Sequence, residues 1–104
     1  MSPTNTKYYY PFCDESYWPT AYDAVESMRK QAYRSGKIEV YKTYDEAKYV
    51  AETTVFDDET WIVIEINVVE GRASACVSPN DGNWVETEVD DWLVKCFVIN
   101  DSNK

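Results

Sequence analysis

The sequence predicts an α+β fold: one domain in which a mainly antiparallel sheet of four to five strands carries two N-terminal helices packed on one face. Three observations predict it. The chain has 104 residues, the length of one domain, and its 44% apolar and 15% aromatic content can build a core. Apolar residues recur at helical spacing in two stretches before residue 55. From Trp61 onward the period changes to two, the signature of strands with two distinct faces. No repeat, linker or low-complexity tract divides the chain. The domain is expected over residues 8–100, between polar tails at 1–7 and 101–104.

The elements follow in chain order. Tyr8-Tyr9-Tyr10-Pro11-Phe12 predicts a short edge strand that ends at its proline, because proline cannot donate to a ladder. The aromatic cluster that continues through Tyr17 and Trp18 is expected to cover the sheet edge and staple the first helix. Thr20 with Asp23 forms a capping-box pattern. Ala21, Val25, Met28 and Ala32 then make one helical stripe, and Gly36 supplies the stop. Ile38 to Tyr41 alternates as a short strand. Thr43 and Glu46 open a second helix with the stripe Tyr44, Ala47, Val50 and Ala51, and Asp57-Asp58-Glu59 ends it in a turn.

In the next strand Ile62, Ile64, Ile66 and Val68 face one way, and Trp61, Val63, Glu65 and Asn67 the other. Gly71 ends it, and residues 73–78 form another strand. Ser78-Pro79-Asn80-Asp81-Gly82-Asn83 carries turn chemistry and is expected to close a hairpin with the alternating run Trp84 to Val89. Trp92 to Ile99 is mostly apolar, which predicts a central last strand. Ile38 to Val69 reads strand–helix–strand, and a parallel pairing of those strands would cross over right-handed. The strand–helix–strand run around Tyr41 to Val69 resembles a piece of ADP-ribosyltransferase-type domains over less than a third of the chain, without a catalytic motif.

Composition excludes several chemistries. The chain has no histidine, so Ser-His-Asp and Cys-His nucleophile pairs, His-bearing zinc sites and histidine pH switches are absent from it. None of the three glycines sits in a phosphate-cradling motif. Cys13, Cys76 and Cys96 have no C-x-x-C spacing, and an odd number of cysteines after a polar N-terminus predicts reduced thiols and a cytoplasmic location. Cys13, in a loop-like stretch, would need a cationic or basic neighbour to become a nucleophile. No apolar run reaches membrane-spanning length. The net charge of −9 argues against direct nucleic-acid binding through phosphates.

That charge is unevenly placed. Residues 1–54 carry seven basic and eight acidic groups, whereas residues 55–104 carry three basic and eleven acidic ones; all nine tyrosines lie at or before Tyr49. With the isoleucine face of the 61–69 strand inward, Trp61 and Glu65 face outward. With the valine face of the 84–89 strand inward, Trp84, Glu86 and Glu88 join them. Tryptophans ringed by carboxylates suit a basic protein surface. The expected partner-binding set is therefore Trp61, Glu65, Trp84, Glu86, Glu88, Asp90 and Asp91. The sequence thus predicts a non-enzymatic acidic interaction protein, acting as an inhibitor, a nucleic-acid mimic or an adaptor. No cofactor, metal or membrane is implied. The turn acids Asp57-Asp58-Glu59 and Asp90-Asp91 match no calcium loop, but the same charges can imitate phosphates. The alternative is a small enzyme or ligand-binding domain using carboxylates and tyrosines in a pocket. Self-association through the tryptophan face is a third reading.

Overall fold

The computed structural model describes residues 5–15, 19–78 and 87–100. Tyr17, Trp18, all but Ser78 of the turn expected at 78–83, and Trp84 and Glu86 lie outside them. Among the described residues six strands and three helices follow in the order β1 (Asn5–Asp14), α1 (Ala21–Ser35), β2 (Ile38–Tyr41), α2 (Tyr44–Thr54), β3 (Thr60–Val69), β4 (Arg72–Ser78), β5 (Thr87–Val89), α3 (Asp91–Val94) and β6 (Phe97–Asn100). They form one compact α+β domain around a mixed sheet of order β5-β4-β3-β1-β2-β6. All neighbours are antiparallel except β2 and β6, which are parallel.

Local chemistry sets the helix ends. The Thr20 side chain accepts from the Asp23 backbone N–H at 3.2 Å, and the Asp23 carboxylate accepts in return from the Thr20 N–H at 3.2 Å. Gly36 closes α1 at φ 74°, where its N–H donates to the Ala32 carbonyl. Thr43 caps α2 through the Glu46 N–H at 3.2 Å. Between β3 and β4, Glu70 at φ 52° and Gly71 at φ 83° make a two-residue turn with both central residues left-handed.

β1 departs from the sequence expectation most. It is not a short edge strand but a ten-residue strand inside the sheet, and Asn5, Thr6 and Lys7 of the expected tail pair with Val69, Val68 and Asn67. The β1–β3 ladder runs unbroken through Pro11–Val63, so the missing proline donor falls on the β2 side. There the pairing is reduced to Tyr9–Tyr41. A proline is tolerated inside this sheet because the ladder it would break is already sparse.

The expected placement of both helices on one face is also corrected. Tyr10 on β1 reaches Ser27 and Gln31 of α1, whereas its neighbours Tyr9 and Cys13, on the opposite face, meet Tyr44 and Ala51 of α2. The helices flank opposite faces. The larger core lies under α1, where Val25, Met28, Ile38, Ile64, Ile66 and Leu93 are fully buried. On the other side α2 buries Ala47 and Ala51, and Val63 on that face of β3 is also fully buried. Trp61 and Val63 make the first half of this face of β3 apolar, and the small stripe of α2 packs on this side of the sheet.

The last strand is neither central nor eight residues long. Asp91–Val94 is a helical turn whose Leu93 is fully buried in the α1 core, and β6 begins only at Phe97, at the sheet edge. The apolar character of this segment reflects a chain that crosses from one sheet edge to the other beneath α1. β2 and β3 both run antiparallel to β1, so they are parallel to each other with β1 between them rather than adjacent.

Candidate functional site

The face opposite α1 can be laid out in rows from the strand register, because residues paired across a sheet share a face. One row holds Tyr41, Tyr9, Glu65 and Cys76. The next, on the same face two residues along, holds Lys7, Asn67, Ser74 and Glu88. In the first row the Tyr9 hydroxyl donates to Glu65 Oε1 at 3.3 Å, and Asn67 Nδ2 donates to Glu65 Oε2 at 3.1 Å. Tyr44, at the start of α2, meets Tyr9 edge-on with ring centroids 6.4 Å apart. Beyond α2 the face opens into a groove of about 470 Å³ lined by Asn67, Val69, Glu70, Arg72, Ala73, Ser74 and Glu88.

The structure divides the residues expected at a partner surface. Glu65 and Glu88 share the open face in adjoining rows, with Lys7 and Arg72 beside them, so this face carries charge of both signs. Trp61 sits on the same face but six residues along β3 from Asn67, roughly 20 Å at ~3.3 Å per residue, and is half-buried beside Cys13. Asp90 lies on the α1 side. Its carboxylate accepts from Arg29 Nε at 3.1 Å, and Arg29 also pairs with Glu26. Asp90 therefore anchors the start of α3 to α1. Asp91 is exposed nearby, beside Trp92, whose ring lies 5.3 Å from that of Tyr33.

A second constellation gathers at the end of the sheet where β1 finishes and β3 begins. Asp14 pairs with Thr60, so Asp14 and Glu15 arrive beside the Asp57-Asp58-Glu59 turn. The turn is held by the Glu59 N–H donating to the Phe56 carbonyl at 2.9 Å and by the Phe56 N–H donating to Glu59 Oε1 at 3.0 Å. Phe56 is 70% exposed at this corner, next to the exposed carboxylates of Asp57 and Asp58. Trp61 belongs to this end of the sheet. Sequence reasoning noted the turn acids but passed over Phe56. The available signal was an aromatic residue off the α2 stripe, wedged between the helix end and the acids.

The titratable groups point away from nucleophilic chemistry. Burial pushes the Cys13 thiol up, and it donates to the Ala51 carbonyl at 3.7 Å. Burial also raises Tyr9, Tyr10 and Tyr41, with Glu65 adding to the effect at Tyr9 and Glu39 at Tyr41. These phenols remain protonated at neutral pH; the Tyr9 hydroxyl donates to Glu65, and the Tyr10 hydroxyl accepts from Gln31. Among the described residues no buried side-chain polar atom lacks a partner, and no group of three or more carboxylates and thiols is arranged to hold a metal. No described helix is long and apolar enough to cross a membrane. No known protein family, curated protein or solved structure matches the chain.

Proposed function

We propose that the protein is a non-enzymatic interaction module that binds a basic surface on a macromolecular partner. The observation that carries this reading is Phe56, 70% exposed in the Asp57-Asp58-Glu59 turn that leads into β3, at the end of the sheet where β1 finishes with Asp14 and Glu15. An apolar anchor rimmed by carboxylates fits a partner pocket rimmed by lysine and arginine. The ring fills the pocket and the acids steer the approach. The net charge of −9 strengthens that steering at long range. Glu65 and Glu88 add carboxylates on the open sheet face, beside Lys7 and Arg72, and Trp61, Trp84, Glu86 and Asp91 belong to the set expected from the sequence. Asp90, also of that set, accepts a hydrogen bond from Arg29.

Inhibition by imitation of nucleic-acid phosphates is one form this binding takes, since rigidly held carboxylates present a similar field to a basic groove. The test is capture of partners on the immobilised native chain at low and high salt, beside two variants. Retention should fall at high salt and be lost in Asp57→Lys/Asp58→Lys, and Phe56→Ala should weaken it at both salts. Retention that survives both variants and high salt would overturn the reading. Reversal at Glu65 and Glu88 reports separately on the sheet face.

A further inference from the structure

We infer that β6 is a self-association edge, through which a second copy of this chain joins the sheet antiparallel and across a two-fold axis. β6 is the outermost strand on its side of the sheet. Its outward-pointing backbone groups follow from the pairing with β2. Ile38 stands opposite Phe97, and the Ile38 N–H donates to the Cys96 carbonyl at 2.9 Å. In that parallel pattern Val98 turns its own N–H and C=O toward β2, and Phe97 and Ile99 turn theirs away from the sheet. Those four polar groups have no strand partner among the described residues.

The two sheet edges differ in how they are protected. β5 at the far edge is three residues long and holds Glu88, an exposed charge of the kind that keeps edges apart. Phe97-Val98-Ile99-Asn100 has no charge, no proline and no bulge. Val98 is 38% and Ile99 43% exposed, one on each face of the sheet. Apolar surface is therefore left open on both sides of an unpaired ladder.

The occupant is fixed by self-complementarity. An antiparallel partner must match outward residues with outward residues, so a two-fold axis has to pass through a residue position and not between two. Centred on Val98, it sets Phe97 opposite Ile99 of the second copy, and Ile99 opposite Phe97. All four outward groups are satisfied in two hydrogen-bonded pairs. The same register makes two aromatic–β-branched cross-strand pairs on one face and a Val98–Val98 contact on the other. The result is a continuous twelve-stranded sheet with both acidic corners left free. Each copy carries −9, so salt should strengthen this association, the reverse of its effect on a basic partner.

Sedimentation equilibrium of the full chain over a wide concentration range tests the assembly, and site-directed cross-linking tests the register. The mass should rise from 12.1 kDa toward twice that value, at lower concentration in high salt. Val98→Lys should hold it at the monomer mass with unchanged far-UV circular dichroism, since the replaced side chain is exposed. If that variant does not fold, cross-linking decides. Val98→Cys places two thiols in a non-hydrogen-bonded pair about 4.5 Å apart at Cα, within disulfide range. Ile99→Cys leaves them at the diagonal spacing of about 7–8 Å, beyond it. Val98→Cys should therefore oxidise to a covalent dimer, whereas Ile99→Cys and the native chain do not. A native chain that stays monomeric at every concentration, a Val98→Lys variant that still dimerises, or equal cross-linking through both cysteines would each overturn the proposal.

Discussion

Tyr10 shows how much one side chain settles. Its ring is 97% removed from solvent under α1, since only 3% remains exposed, and its hydroxyl accepts from Gln31 Nε2 at 2.7 Å and meets Ser27 Oγ at 3.1 Å. Burial is the main reason its pKa lies above the usual 10.0. The folded state therefore holds the phenolic proton more tightly than the unfolded chain does. That contribution to stability is complete below about pH 10 and is lost as the pH rises toward the higher folded value. Tyr10→Phe should cost about 1–2 kcal/mol at neutral pH, because Gln31 and Ser27 lose a buried partner, and should flatten the alkaline loss of stability. Urea unfolding of both proteins across the alkaline range checks the two effects together. The sequence put Tyr10 among aromatics that cover a sheet edge and staple the first helix; its full burial and its polar partners come from a helix placed by the tertiary fold. Cys13 is similar: its thiol looked accessible from the sequence, and the arrival of α2 over β1 supplies the carbonyl that engages it.

At the scale of elements, the pieces whose ends are set by local chemistry are those the sequence predicts well. Thr20, Asp23 and Gly36 bound α1, and Thr43 with Glu46 opens α2, because caps are satisfied within a few residues of themselves. The β3–β4 turn is another local device, but with a poor residue in it. Glu70 adopts φ 52°, a left-handed conformation that costs a side-chain-bearing residue energy unless it is asparagine or aspartate. Glu70→Asn gives the preferred Asn-Gly pair and should stabilise the protein by about 0.5–1 kcal/mol, read as a higher denaturation midpoint with an unchanged slope. Elements whose character comes from their surroundings were misread. Trp92 to Ile99 is apolar along its length, yet it divides into a turn that plugs Leu93 into the core and a strand at the sheet edge. An apolar run of this length reads equally as a buried strand or as a buried turn with a strand after it, and only the path of the chain chooses.

The whole molecule carries nine net negative charges on a 104-residue domain, and they repel one another most in the compact state. Raising salt should therefore raise the thermal midpoint at low protein concentration. A gain of about 1 kcal/mol would shift it by roughly 4–8 °C, which calorimetry across a salt series resolves. A midpoint that falls with salt would mean that internal ion pairs such as Arg29–Asp90 outweigh the repulsion. The acidic excess of the C-terminal half was plain in the sequence, but its placement was not. The chain brings Asp14, from the other half, opposite Thr60 at the end of the Asp57-Asp58-Glu59 turn, leaves Glu65 and Glu88 on a face shared with Lys7 and Arg72, and pairs Asp90 with Arg29. By itself the sequence determined the composition of the core, the helix caps, the alternation of β3 and the absence of histidine chemistry. Each depends on residue type or on neighbours close along the chain. Only the tertiary structure decided that β1 lies inside the sheet, that the two long helices take opposite faces, and that Phe56 stands exposed among carboxylates. Those outcomes depend on pairing between segments far apart in the chain, where one apolar pattern satisfies several arrangements and the packing of the whole selects among them.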